Sequence, residues 1–436
     1  MKKLMILFVL LSLILVGCNK EEVDPPRVYD DAELLLLAEM ENSFNFFYEQ
    51  ANTDEESGGY GLINDRYPSN STLASIASVG FGLAGLPIGV DYEFITFDQG
   101  YERASKTLDT FLNMVNYHGF FFHFLNKETG ERSGTSEVSI IDSAFLFAGA
   151  IVAGEYFGGD VKTKADALYA QVDWQWYLNQ STHQFYMGYR PESGFAGAWN
   201  WYGEQLILYV LGAGAPNEAY RTGLQEYSSF TRRVSSYKGE PFISSWFGSL
   251  FTYQFSHAFI DFRDTEDATG VNWFENSVNA SIANRQYAID MHQYYQTFTS
   301  TSWGMTASDG PNGYSGYYGS VPSGTTDDAH RNDGTIAPAG ALGSVVFVPD
   351  YVKASVQFFD AVGGLKGTYG YKDAYNFEET TPWIAGDVIG IDKGVTLLMI
   401  ANYFDNTVWD YFMQNTYVQN GLSVIGIQKI ETTTEE

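Results

Sequence analysis

Apolar positions recur along this chain at intervals of three and four residues, and breakers divide that rhythm into twelve segments of helical length. The helices it predicts are 31–50, 69–86, 97–116, 138–157, 160–178, 199–213, 215–230, 245–257, 271–296, 336–346, 350–363 and 391–415. Their connections alternate. Those after the odd-numbered helices are long, at 51–68, 117–137, 179–198, 231–244, 297–335 and 364–390, whereas most after the even-numbered ones are short, such as Gly158-Gly159 and Phe347-Val348-Pro349. Antiparallel succession puts alternate connections at opposite ends, so the long loops fall on one face. The even-numbered helices are rich in small residues, as in Ser71–Gly82 and Ile336–Gly343. Small side chains allow close helix approach and place these helices in an inner ring. The fold class predicted is all-α, an (α/α)6 barrel or toroid. Residues 120–125 and 184–189 alternate as strands do, which suggests short β-hairpins over the mouth.

The amino terminus reads differently. Lys2 and Lys3, the apolar run Leu4–Val16 and Leu15-Val16-Gly17-Cys18 fit a lipoprotein signal peptide at 1–17, too short to span a bilayer comfortably. Cys18 is the only cysteine, so the mature chain can form no internal disulfide, and its expected role is to carry lipid. Residues 18–28 read as a flexible spacer, with Lys20-Glu21-Glu22 similar to a surface-export tag and Pro25-Pro26 favouring extended backbone. Residues 29–430 are then one toroidal domain. The expected location is the outer membrane, on the cell-surface or periplasmic side, with the lipid as the membrane contact.

The formal charge is −29, from 24 basic and 53 acidic residues. That balance opposes nucleic acids and polyanionic polysaccharides and favours a neutral oligo- or polysaccharide as partner. Aromatic residues make up 17% of the chain, enough to supply a core and sugar-stacking platforms.

Acids gather where long loops meet the even-numbered helices. Glu137 and Asp142 open the fourth, Glu204 the sixth and Asp392 the twelfth, while Asp333 just precedes the tenth. Capping and the helix dipole also favour acids at such positions, but so many converging on one mouth suit glycoside hydrolysis, which needs one protonated carboxyl and one ionised carboxylate. Glu204, among Trp199, Trp201 and Tyr202, suits the acid; its other reading is a buried acid paired with an arginine. Asp392, beside Lys393 and two glycines, suits the ionised base; its other reading is an N-cap. Asp309 and Asp333 either bind sugar hydroxyls or structure their loop as Asx turns. Trp199, Trp201, Trp303 and Trp383 are candidate sugar platforms, some of them shared with the core. There is no phosphate-binding loop, no His-Glu-x-x-His and no Gly-x-Ser-x-Gly elbow. The six histidines show no metal spacing, and His118 and His123 read as structural. No metal or cofactor is expected. A glycan-binding lipoprotein without catalysis is the competing function, and a uronate lyase a third.

Four ordered motifs carry a family resemblance: Ser302–Pro311, Asp333–Pro338, Tyr369–Asn376 and Gly390–Gly394. With Ser75–Gly82 and Ser136–Asp142 they resemble the glycoamylase-like domain of glycoside hydrolase family 144, the bacterial β-1,2-glucanases. The resemblance implies an (α/α)6 toroid and anomer-inverting hydrolysis of β-1,2-glucan, with Glu204 as acid and Asp392 as base. Helices six and twelve would face each other across the ring, leaving the wide carboxyl spacing of an inverting site. Lys393 and Val395 stand where the family usually has glutamine and proline, and Tyr375 where it has phenylalanine. A monomer is expected.

Overall fold

The computed structural model describes residues 27–430; the expected signal peptide, Cys18 and nearly all of the expected spacer lie outside them. Thirteen α-helices occur among the described residues: α1 (Asp31–Glu49), α2 (Ile76–Asp91), α3 (Phe97–Asn113), α4 (Ile140–Phe157), α5 (Gly159–Ala170), α6 (Leu206–Gly214), α7 (Leu224–Tyr227), α8 (Trp273–Met291), α9 (Pro338–Leu342), α10 (Pro349–Ala361), α11 (Gly390–Asp405), α12 (Thr407–Gln414) and α13 (Thr416–Val424). They form an (α/α)6 barrel. Its inner ring runs through α2, α4, α6, the helical turns at 250–260, α9 and α11, with α2 packed on both α4 and α11.

Burial separates the rings. All nine residues of α6 and nearly all of α4 are buried, whereas outer helix α3 buries Gly100, Ala104, Thr107, Leu108 and Phe111 along one stripe. Helix α4 is apolar and long enough to cross a membrane, yet 83% of it is buried here as core. The small residues do what the pattern implies: a Cβ on Gly149 of α4 would lie 1.9 Å from the Gly80 carbonyl oxygen of α2. Phe81, Phe145, Phe255 and Phe259 fill the barrel interior with ring centroids 5.5–6.2 Å apart.

Short antiparallel strands crown one end. Leu73–Ser75 pairs with Phe124–Asn126, Val138–Ser139 with the Gly188–Arg190 hairpin arm, and Val388–Ile389 with Arg66–Tyr67. Three of these strands run straight into α2, α4 and α11, so the N-termini of the inner helices, and the acids on their first turns, open at this crown. At the opposite end α12 and α13 close the barrel. Trp409 Nε1 donates to the His257 carbonyl at 2.6 Å, and Asn415 donates to Glu155 at the end of α4.

Several expected helices differ. The seventh, 215–230, reduces to a 3-10 turn at Glu218–Tyr220 and the single-turn α7, since Pro216 and Asn217 cap anew and Gly223 is extended. The eighth, 245–257, is non-helical through Ser249 and becomes a 3-10 turn only at Leu250–Tyr253; Gly248 sits at φ +64° with its Cβ position filled by the Ser320 carbonyl. The twelfth breaks at Asn406, which takes the left-handed conformation, φ 55°. The sixth begins at Leu206, leaving Trp199–Glu204 in the loop before it.

Candidate active site

The crown places two groups of carboxyls around one mouth. On one side Glu204 lies at the floor of a cleft of about 720 Å³, lined also by Met187, Trp199, Trp201, Trp246 and Phe247. Its main chain is held by Ser256 Oγ, which donates to the Glu204 carbonyl at 2.5 Å. Burial raises the Glu204 pKa from 4.5 to about 7, and the Asp142 carboxylate adds to the effect. No arginine or lysine pairs with it among the described residues, so it is not the ion-paired acid that the sequence also allowed. Glu204 thus keeps a substantial share of its proton near neutrality, where an ordinary glutamate is ionised.

Asp142 and Glu137 flank His123. His123 Nδ1 lies 3.1 Å from Glu137 Oε1 and Nε2 lies 3.4 Å from Asp142 Oδ1, while Arg190 holds the other Glu137 oxygen at 3.0 Å. The His123 hydrogen bond, helped by Arg190, lowers the Glu137 pKa to about 2 despite burial. Burial opposes charge on His123, but Asp142, Glu137 and Asp65 outweigh it and its pKa is raised. Asp142 is fixed further by Ser139, the N-cap of α4, at 2.5 Å. Both carboxylates of this group are therefore engaged by the protein, Glu137 more completely than Asp142.

Across the mouth, Asp392 on the first turn of α11 faces Asp373, and both are about 95% buried. Burial raises the Asp373 pKa to about 7 and pushes Asp392 well above its ordinary value, with the charge of Asp373 adding to the latter. This corrects the picture of Asp392 ionised beside Lys393. The lysine turns instead to Glu39 of α1 in a buried ion pair, so its charge is neutralised where the family usually carries glutamine. Asp309 donates its backbone N–H to Asp373 at 2.7 Å, and its carboxylate pairs with Arg66 at 3.1 Å. Arg66 also reaches Asp387 at 3.3 Å and Asp65 at 3.6 Å. Tyr314, half exposed, stands close enough to this group to feel the charges of Asp392 and Asp373. Electrostatic influence runs from Glu204 to Asp142, from Asp142 to Asp65 and from Asp65 to Asp392. The acids therefore share one field.

The other candidates separate. Asp333 accepts from Thr335 N–H and Oγ1 at 3.1 and 2.6 Å and from the Tyr318 hydroxyl at 2.7 Å. Its carboxylate structures the loop and is not free for sugar. Asp309 is tied to Arg66 rather than presented to a ligand. Trp303 is fully buried, Trp199 is 6% exposed, and Trp383 is half-buried in a strand pair with Asn376. Trp303 is therefore core and no platform. Trp201 lines the cleft, its Nε1 donating to the Ser244 carbonyl at 3.2 Å, and it meets Trp246 edge to face at 4.8 Å. Trp246, 41% exposed, was concealed in the sequence by a segment that reads as helix. Asp373 lies within a motif that carried the resemblance, and nothing in its local spacing marks it as a partner of Asp392. Among the described residues, no group of three or more His, Cys, Asp or Glu side chains could hold a metal ion.

The fold and the site together define a toroid of paired helices with an aromatic, carboxylate-lined mouth at one end. Residues 197–416 match the Glycoamylase family, described as "Putative glucoamylase", and the chain belongs to that family. A curated relative, the exo β-1,2-glucooligosaccharide sophorohydrolase (non-reducing end) of Parabacteroides distasonis, is 28% identical over 92% of this chain. The chain spans 58% of that relative's length. Among solved structures, a "putative glucoamylase" from Bacteroides uniformis is 28% identical with a TM-score of 0.82, covering 92% of this chain and 99% of that one. An endo-β-1,2-glucanase from Chitinophaga pinensis, in complex with sophorotriose and glucose, is 25% identical with a TM-score of 0.81 over the same shares.

Proposed function

We propose that the protein is a glycoside hydrolase that cleaves β-1,2-linked glucan by an inverting acid/base mechanism. The observation that carries this reading is Glu204, lining an aromatic cleft without a basic partner and with its pKa raised by burial into the neutral range, in a field that extends to Asp392. The likeness to a sophorohydrolase and to an endo-β-1,2-glucanase supports the linkage. In the reaction, Glu204 donates its proton to the glycosidic oxygen as the bond to the anomeric carbon breaks. Water attacks that carbon from the opposite face and releases a proton to the paired acids Asp392 and Asp373, by way of Asp392. Trp201 and Trp246 stack against pyranose rings.

Incubation with a panel of neutral glucans, followed by NMR, tests the reading. Sophoro-oligosaccharides should appear from β-1,2-glucan alone, with the α-anomer formed first. The β-anomer as initial product refutes inversion, and wild-type turnover by Glu204→Gln or Asp392→Asn refutes the assignment of roles. We further propose that the protein is a monomer held at the outer membrane by lipid on Cys18. Cys18→Ala then moves it into the soluble fraction; unchanged membrane partition refutes the anchor.

A further inference from the structure

Asp373 and Asp392 come from different parts of the fold. Asp373 follows the strand Gly370–Tyr371 and Asp392 sits on the first turn of α11, yet both line the same buried cavity of about 10 Å³. No donor reaches Asp373 Oδ1 or Asp392 Oδ2, although both side chains are about 95% buried. Two bare carboxylate oxygens in one buried site are unfavourable twice over, through desolvation and through repulsion. One proton between them removes both problems.

The surroundings hold the pair to one proton. Asp373 Oδ2 already accepts from the Asp309 N–H at 2.7 Å. Of the charged groups around it, Asp309 and Asp65 add negative field, and Arg66 is shared among Asp65, Asp309 and Asp387. Lys393 is neutralised by Glu39, and Tyr314, a further titratable neighbour, stays neutral. Lys372, half-buried, also lines the cavity but makes no ion pair or hydrogen bond with either acid, while the Asp309 N–H stabilises the first negative charge.

We propose that Asp373 and Asp392 form a dyad carrying one proton and one negative charge, and that Asp373 is the positioning residue through which Asp392 accepts the proton of the attacking water. The balance is simple. The dyad goes from one proton to two and from one negative charge to none as the water oxygen bonds to the anomeric carbon and Glu204 gives its proton to the departing oxygen. The shared proton rests on Asp392, because the Asp309 N–H holds the charge on Asp373, and it passes to Asp373 as Asp392 takes the proton of the water. This step rests on the hydrolase reading; the existence of the dyad does not.

Infrared spectroscopy of the full chain labelled with carbon-13 aspartate separates the two, because the label leaves Glu204 and Glu39 silent. At about pH 8.5, where an ordinary aspartate is ionised, the wild type should show one protonated aspartate band. Asp392→Asn should abolish it, since Asp373, raised only to about 7, is ionised at that pH, and Asp373→Asn should shift its frequency, since the buried proton on Asp392 loses its carboxylate partner. Absence of the band in the wild type overturns the proposal without recourse to any variant, and so does its survival in Asp392→Asn or an unchanged frequency in Asp373→Asn. Turnover supplies the second readout. Asp373→Asn should lower kcat roughly 10- to 100-fold with KM unchanged, against a loss of roughly 1,000-fold or more in Asp392→Asn; equal losses, or a change confined to KM, overturn the positioning role. A band in an enzyme that leaves β-1,2-glucan intact would refute the substrate and keep the dyad.

Discussion

Glu204→Gln should make the protein inactive and, at alkaline pH, more stable. The folded pKa of Glu204 lies above the unfolded one, about 7 against 4.5, because burial disfavours its charge. A raised pKa means that the proton favours folding. The contribution is therefore whole below about pH 4.5 and is lost as the pH climbs through about 7. Each pH unit between the two values corresponds to about 1.4 kcal/mol, so the ionised carboxylate weakens the fold by up to about 3 kcal/mol, less whatever cleft water screens. Glutamine keeps the shape and carries no charge at any pH. Urea unfolding followed by tryptophan fluorescence, run on both proteins from about pH 4.5 to pH 8.5, reads the difference directly. The other 52 acidic residues titrate alike in the two chains and cancel. The variant's advantage should grow from about pH 4.5 to about pH 7 and level off above it, as turnover stays lost. Parallel stability curves would show that Glu204 is not desolvated, and its assignment as the acid would lose its physical basis. Such a conflict between stability and function is common where a site holds an acid away from water.

Glu137→Gln should destabilise the fold by about 1–2 kcal/mol, since the carboxylate is only a quarter exposed. With Glu137 depressed to about 2, its contribution is present above 4.5 and lost as pH falls; with His123 raised above 6.5, its contribution is whole below that value and lost as pH rises. The deficit should peak between about pH 4.5 and 6.5 in thermal unfolding, and a flat deficit refutes the ion pair. Trp246→Ala should raise KM for oligosaccharides roughly tenfold, with kcat within about twofold; steady-state kinetics with an unchanged KM would remove it from the platform. Gly149→Ala should lose about 1–3 kcal/mol by forcing α4 off the Gly80 carbonyl, and an unchanged unfolding midpoint would mean the two helices have room to part.

The amino-acid order by itself determined the barrel. Alternating loop lengths and small-residue helices specify two rings and one mouth, because helical periodicity and close approach are local properties of the chain. The placement of Glu137, Asp142 and Asp392 at the crown was legible for the same reason, as each lies on or beside the first turn of an inner helix. The helices that failed, 215–230 and 245–257, carry helical periodicity but are overridden by extended residues at Gly223 and Ser249 and by the contact of Gly248 with Ser320. Local preference is weak beside such tertiary contacts. Which acids are free, paired or protonated was decided only by the fold. Lys393 adjoins Asp392 in sequence yet bonds to Glu39 from 354 positions away, while Asp373 reaches Asp392 from the bend after Gly370–Tyr371 and Arg66 ties together Asp65, Asp309 and Asp387. The charge state of a buried carboxyl depends on everything within a few ångströms of it, and neighbours at that range come mostly from distant parts of the chain.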